Sequence, residues 1–372
     1  MGVSTQQILA PKTILHAVSQ MALPGTTLQR LFGWGISGGN TERQSGRNFA
    51  YDILDNSRRV ATARVPGQAS SRQHPQKVGS VAGTFPRSAE TISLLDEDLL
   101  NRRAIGHRGE ELDYGGESYI TRQEAYLAQR FANLIEFQTA AMMRGSYSYH
   151  DDGDVLRHGF TGGTLTVDYQ IPSGNEGQLD MLGAGEILDA DWGDAGTDIP
   201  LHLQNINSAM LQLTGMGLAH VVLTSAGWRY ILNNTAVQEM GGSMNVPFES
   251  MERTATGEFE AVLRALPWIK FHIVDYGLEI WNGSSEVFTK LIPDDRAAFF
   301  PQPSPRWVRY LEGSEIVTEG PGGQRAEQFG FYPFAYPTHD PSGWELSAVM
   351  NGIPALFTPS AMAYGLITGG SY

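Results

Sequence analysis

Thr121-Arg122-Gln123-Glu124-Ala125-Tyr126-Leu127-Ala128-Gln129-Arg130-Phe131, with its continuation to Arg144, is the strongest helical pattern in this 372-residue chain. Thr121 followed by Glu124 three places on has the form of a capping box, in which each side chain satisfies the other residue's free backbone donor. Leu127, Phe131, Leu134, Ile135, Ala141 and Met142 recur at three- and four-residue spacing, while Arg122, Gln129, Arg130, Asn133 and Glu136 take the other side. The spacing predicts one long helix over about 121–144, ending before Gly145 and laid across a sheet or lobe.

Downstream of that helix the chain turns acidic. Asp151, Asp152, Asp154, Asp168, Glu176, Asp180, Glu186, Asp189, Asp191, Asp194 and Asp198 face Arg157 alone, a local balance of −10. Residues 165–169 alternate like a strand. Asp198, with Pro200 in the first turn where a missing N–H costs little, opens a helix carrying Leu203, Ile206, Met210 and Leu213 inward. A buried strand at 220–224 precedes a short helix through Trp228, Tyr230, Ile231 and Leu232. Residues 268–274 and 278–281 read as paired strands, and 296–300 as another before a Pro-rich break. The alternation predicts a second α/β lobe over 198–330. Residues 344–356 read as a strand returning to the first lobe, and no internal repeat is present.

Upstream the balance reverses. Arg43, Arg47, Arg58, Arg59, Arg64, Arg72, Lys77 and Arg87 face only Asp52 and Asp55, a local balance of +6. Residues 59–65 alternate as an exposed strand, and 66–86 are too polar and rich in Gly and Ser to build a core. A long two-stranded loop standing away from the body fits this composition. An isolated ribbon is marginal in water, so the loop needs a partner surface. Residues 1–42 hold one short apolar stretch, Leu28-Gln29-Arg30-Leu31-Phe32, before a Gly-rich run, and read as an extended arm with little core of its own.

Composition narrows the function. Forty acidic against 26 basic side chains, a net charge of −14, disfavour a protein whose main task is binding nucleic-acid phosphates. The absence of Cys excludes disulfide scaffolds, thiolate metal sites and thiol catalysis, and makes a reducing compartment the natural home. The start, Met1-Gly2-Val3-Ser4-Thr5-Gln6, does not read as a targeting segment. The uncharged stretch after Glu345 is broken too often, by Asn351, Pro354 and Pro359 among others, to span a bilayer.

Several local motifs reduce to simpler readings. Gly33-Trp34-Gly35-Ile36-Ser37-Gly38 matches a dinucleotide fingerprint, and Gly35-Ile36-Ser37-Gly38-Gly39 a nucleophile elbow. Neither has the strand before and helix after that its chemistry requires, so the run reads as a bend in the arm. His150-Asp151-Asp152-Gly153-Asp154, with His158, offers metal-ligand types, but the calcium-loop spacing fails and a solvated turn fits better. His339-Asp340 and the many Ser residues supply the ingredients of a hydrolytic triad without its geometry, and no catalytic role is assigned. The aromatic run Phe329 to Pro337 has only Arg325 as a nearby cation, which favours core or subunit contact over base stacking. Lys77 is a thin candidate for an isopeptide cross-link. No cofactor and no metal are expected.

The order of parts carries more than any one motif. Asn101-Arg102-Arg103-Ala104-Ile105-Gly106, Leu165-Thr166-Val167-Asp168-Tyr169, Trp192-Gly193-Asp194-Ala195-Gly196, Asp198-Ile199-Pro200, Ile292-Pro293-Asp294-Asp295-Arg296 and Pro354-Ala355-Leu356-Phe357-Thr358-Pro359-Ser360-Ala361 together resemble the lambda-type major capsid protein E family of tailed bacteriophages. The similarity covers most of residues 95–370; before residue 90 it lies in layout more than in letters. It implies an α+β chain of the Hong Kong 97-like phage capsid fold, with an N-terminal arm (1–42), an extended two-stranded loop (43–92), a peripheral domain (93–197) carrying the long spine helix, an axial domain (198–330), and returning strands of the peripheral domain (331–372).

It implies in turn a structural head protein rather than an enzyme, self-assembling into hexamers and pentamers of an icosahedral shell that encloses double-stranded DNA. Residence in the virion, assembly in the host cytoplasm, non-specific DNA contact, and a scaffold, a portal and in some cases a decoration protein as partners follow from the same resemblance, with no membrane. Another virion structural protein, of tail or connector, and an encapsulin-like compartment shell are the alternatives. The candidate inter-subunit contacts are the basic Arg58, Arg59, Arg64, Arg72 and Lys77, guided by charge onto a neighbour's acidic flank, with Leu28, Leu31 and Phe32 as apolar anchors.

Overall fold

A computed structural model describes residues 25–36, 38–53, 79–95, 117–153, 155–240, 248–253, 259–264, 266–319, 324–340 and 342–369. In chain order the elements begin with α1 (Thr27–Phe32), β1 (Thr41–Gln44), β2 (Asn48–Ile53), β3 (Gly79–Thr84), β4 (Arg87–Leu95) and α2 (Glu117–Met143). Next come β5 (Ser146–Asp152), β6 (Val155–Gly159), β7 (Leu165–Asp168), β8 (Glu176–Gly177), α3 (Ile199–Thr214), β9 (His220–Leu223), α4 (Ser225–Asn233) and α5 (Thr235–Met240). The chain continues through β10 (Phe248–Arg253), β11 (Phe259–Leu263), β12 (Lys270–Ile273), β13 (Gly277–Trp281), β14 (Glu286–Lys290) and β15 (Arg296–Phe300). Three long strands, β16 (Val308–Glu319), β17 (Gln324–His339) and β18 (Ser342–Leu356), precede the short β19 (Ala363–Leu366).

Two sheets organise these parts. The first has the order β1-β16-β17-β18-β4, and α2 packs on it through Phe131 against Phe331 and Gln138 against Gly352. The second has the order β10-β11-β12-β9-β15-β19-β8. Strands β9 and β15, at its centre, are apolar after their first residues, His220 and Arg296, because both faces are buried. Val221, Leu223, Ala297 and Phe299 face the core shared with α3 and α4, while Val222, Ala298 and Phe300 face the core shared with α2.

The prolines of the long strands sit where one edge lacks a neighbour. Pro354 pairs with Tyr310 of β16, beyond the reach of β4, whose register ends at Asn351; Pro333 and Pro337 pair only with β18. Gly352 is required by packing, because a Cβ there would lie 2.4 Å from the Tyr310 ring, whose hydroxyl donates to Gln138 Oε1 at 2.7 Å.

The long helix differs from its sequence reading at both faces. It extends back to Glu117, so Thr121 lies a turn inside it and the capping-box reading of Thr121 and Glu124 fails. Glu136, expected on the solvent side, is fully buried, because the C-terminal half of α2 is enclosed all round. Other departures are topological. Strand β12 pairs with β11 and β9, and β13 with β14, so 268–274 and 278–281 are not partners. Strands β16 and β17 join the first sheet and β19 joins the second, so the end of the chain returns to both sheets. The helix at 199–214 forms as expected, with Asp198 Oδ1 accepting from Leu201 N at 3.0 Å and Pro200 in its first turn.

Glu124 is 3 % exposed on the sheet-facing side of α2, and its Oε1 has no hydrogen-bond partner. Burial pushes its carboxyl up to about 7. A raised carboxyl means the unfolded chain releases its proton first, so stability is full below about pH 4.5 and falls as pH rises towards 7. Glu124→Gln is therefore expected to stabilise the subunit at pH 8 by roughly 2 kcal/mol and to flatten that pH dependence, read by urea unfolding at pH 5 and pH 8.

Candidate functional site

The sequence places its assembly candidates on three segments, and the structure treats each differently. The first is the apolar stretch 28–32, which folds as α1 and docks on the chain's own core. Leu28 is 0 % and Phe32 1 % exposed, and Leu31 is half-buried. Phe32 stacks between Trp34 (5.0 Å) and Phe300 (4.9 Å). The backbone N–H groups of Leu28 and Gln29 donate to Glu136 Oε1 (2.7 Å) and Oε2 (2.9 Å), and the Tyr276 hydroxyl donates to the same carboxylate. Trp34 Nε1 donates to Thr139 at 3.0 Å. Leu28 and Phe32 are thus intramolecular anchors rather than inter-subunit contacts, because α2 supplies the acceptors that the start of so short a helix lacks.

The Gly-rich run closes this helix. Gly33 takes the left-handed C-cap conformation at φ 76°. Gly39 has φ 132°, and a Cβ there would meet the Gly33 carbonyl at 2.1 Å. The order is helix, turn, strand, the reverse of a nucleotide-binding or nucleophile-elbow turn. Ser37 lies outside the described residues.

The second segment is the basic loop. Its base is the antiparallel pair β2–β3, running from Asn48 opposite Thr84 to Ile53 opposite Gly79, with Phe49, Tyr51 and Val81 buried. Arg58, Arg59, Arg64, Arg72 and Lys77 lie outside the described residues. The three flanking arginines find partners in their own chain: Arg43 lies 3.6 Å from Glu312, and Arg47 (3.9 Å) and Arg87 (3.1 Å) share Glu315. Part of the +6 stretch is therefore neutralised by β16. Such exposed pairs contribute about 0–1 kcal/mol each, and their use is to orient the base of the loop.

The third segment is the acidic flank. Asp180, Glu186, Asp189, Asp194 and Asp198 are exposed and Asp191 is half-exposed. Several serve the local backbone: Asp191 accepts from Gly193 N and Gly369 N, and Asp180 from Gly185 N. Trp192 Nε1 donates to His202 Nδ1 at 3.1 Å, so His202 carries its proton on Nε2 and donates it to Asp189 at 3.0 Å. Among the described residues, His202 is the only ion-pair partner found by these six carboxylates, so the negative surface stays open.

The remaining motifs disperse. His150 and His158 stand on opposite faces of the β5–β6 hairpin, since Tyr149 is paired with His158 and His150 with Arg157. His150 Nε2 meets Thr161 O, while half-buried His158, pushed down to about 4 by desolvation, accepts at Nδ1 from the Tyr147 hydroxyl at 2.6 Å. Two rings so separated cannot share an ion, and among the described residues no group of three metal-ligating side chains is assembled. In the aromatic run, Phe331 packs on Phe131 of α2, whereas Tyr332, Phe334 and Tyr336 stack at 6.2 and 6.3 Å along the opposite face of β17. No described helix is long and apolar enough to cross a membrane.

Sequence reasoning missed Glu136 and α1 as a unit. A signal was present: Glu136 is followed by Phe137, Gln138 and Thr139 with no charge until Arg144, which marks the second half of the helix as buried.

Comparison with known proteins accounts for the whole arrangement. The family model of phage major capsid protein E matches residues 11–365. A putative capsid protein of a prophage of Escherichia coli CFT073 shares the fold at TM-score 0.56 and 13 % identity, over 99 % of this chain and 100 % of that one. A phage-related protein of Bordetella bronchiseptica RB50 does so at TM-score 0.52 and 11 % identity, over 98 % and 99 %. No match was found among curated proteins. The fold is the Hong Kong 97-like capsid fold, and its two sheets joined by a spine helix, with the base of a two-stranded loop at one side, are the parts of a shell subunit. The chain belongs to the phage major capsid protein E family, whose members are structural proteins of the virion shell.

Proposed function

We propose that copies of this subunit form the hexamers and pentamers of an icosahedral head around double-stranded phage DNA, and that the loop bearing Arg58, Arg59, Arg64, Arg72 and Lys77 lies on the acidic flank of a neighbouring copy. The observation that carries the reading is the open flank: carboxylates from Asp180 to Asp198 stand exposed or half-exposed with one His as ion-pair partner among the described residues, while the cations available to meet them sit on a loop too polar to fold alone. Head-to-tail contacts of this kind close identical copies into rings. The protein is a building block and performs no catalysis. It assembles in the host cytoplasm with a scaffold and a portal, accepts a decoration protein in some heads, and meets packaged DNA without sequence preference.

Electron microscopy of the purified protein tests the shell: closed polyhedral particles support it, while tubes or twelvefold rings indicate a tail or connector piece. Cargo separates a head, which holds DNA, from an encapsulin-like compartment, which holds enzyme. Rim charges set encounter more than affinity, so raising salt from about 50 to 500 mM is expected to slow assembly about tenfold by light scattering and to leave finished shells intact. Rates indifferent to salt would remove the loop-on-flank contact from the proposal.

A further inference from the structure

Helix α1 has two neighbours. On one side Glu136 of α2 holds its first N–H groups; on the other, Thr27, Arg30 and Leu31 line a cleft of about 290 Å³ with His220, Glu260, Lys270 and His272 of the seven-stranded sheet. His220 and His272 are 4 % and 2 % exposed, on the paired strands β9 and β12, and their rings meet Nδ1 to Nε2 at 2.9 Å. His220 also stacks on Phe300 (5.6 Å), the ring against which Phe32 of α1 packs. A continuous file, Phe32, Phe300, His220, His272, Glu260, therefore links α1 to the edge of the sheet.

The hydrogen bonds fix where the protons sit. Gln302 Oε1 lies 2.8 Å from His220 Nε2 and accepts, so His220 Nε2 carries the proton and its Nδ1 is a lone pair. His272 Nε2–H must then be the donor between the rings. That leaves His272 Nδ1 bare, without a hydrogen-bond partner and 3.4 Å from Glu260 Oε1. A proton added to His220 has only Nδ1 to occupy, the atom already receiving His272 Nε2–H, and so breaks that bond.

We propose that the His220–His272 pair is a proton-operated latch: it keeps α1 seated on the seven-stranded sheet while His220 Nδ1 accepts from His272, and releases α1 when that nitrogen is protonated. The charged groups around the pair agree. Lys270 of β12 and Arg30 of α1 line the cleft as cations and oppose protonation of His220, while Glu260 of β11 is the one carboxylate among the described residues lining it and favours that proton. Burial, more than any neighbour, holds His220 down to about 4. Release acts through Phe300: a charged His220 moving towards water withdraws its ring from Phe300 and leaves Phe32 without that backing.

The test is amide hydrogen exchange of the full chain, read over residues 28–32 by mass spectrometry between pH 7.5 and 3 and corrected for intrinsic exchange. The wild type is expected to lose protection there about tenfold in a step centred near pH 4, and His220→Gln, which cannot take that proton, to lose the step. Glu136 also holds α1, so Lys270→Met decides between them. Removing that cation is expected to move the step up by about half a pH unit if the histidines set it and not at all if Glu136 does. The Lys270 variant also decides the matter should His220→Gln fail to fold. A wild type flat across the range, or a step unmoved in Lys270→Met, would overturn the latch.

Discussion

Glu136→Ala is expected to destabilise the folded subunit by about 3–5 kcal/mol, the range for removing one side of a buried, hydrogen-bonded charge. The carboxylate is fully buried in α2 and accepts from Leu28 N, Gln29 N and the Tyr276 hydroxyl, on segments 108, 107 and 140 residues away. Two backbone donors at the start of α1 would be left dry, with no water path to replace their acceptor. Glu136→Gln is expected to fall about midway, since one amide oxygen can accept where two carboxylate oxygens did, and the NH2 would confront a backbone N–H. Urea unfolding of the unassembled subunit measures both. A loss under about 1 kcal/mol for the Ala variant would mean that α1 is not held by this carboxylate.

Phe32→Ala separates two readings of the same residue. If Phe32 were an anchor reserved for a neighbouring copy, its truncation would leave the lone subunit within about 0.5 kcal/mol of the parent and abolish assembly. The structure places it at 1 % exposure between Trp34, Phe300 and Trp307, so about 3–5 kcal/mol of subunit stability is expected to go instead, as for other buried aromatics cut to Ala. The expected result is a lower urea midpoint before any assembly defect is scored. Loss of the Phe32 ring should also increase exchange at Leu28 and Gln29, because those N–H groups reach Glu136 only while α1 is seated.

The two lobes are coupled through a short segment that sequence alone assigns to neither. Helix α1 touches the spine helix through Glu136, with Trp34 just beyond it reaching Thr139, and the seven-stranded sheet through Phe300 and the cleft at His220, while Gly39 and Asn40 carry the chain on to β1. A six-residue helix has almost no stability of its own in water. Its position is decided by acceptors and rings from distant elements, which makes it a natural place for conditions such as pH to act.

Periodicity and local chemistry sufficed for the long helix, the capped helix at 199–214, the buried strand at 220–223 and the opposed charges of the loop and flank, because each depends on residues within one or two turns or on charge counted along the chain. The order of those parts, set beside a known family, carried the fold and the shell. Pairing was another matter: β12 takes β9 and β11 rather than β13, and β16 leaves the second lobe for the first, because strand partners are chosen by faces that meet only after collapse. The burial of Glu136, Leu28 and Phe32 was likewise settled by tertiary structure alone. A carboxylate on a helix reads as a solvent group until the backbone donors it answers, more than a hundred residues away, are brought against it.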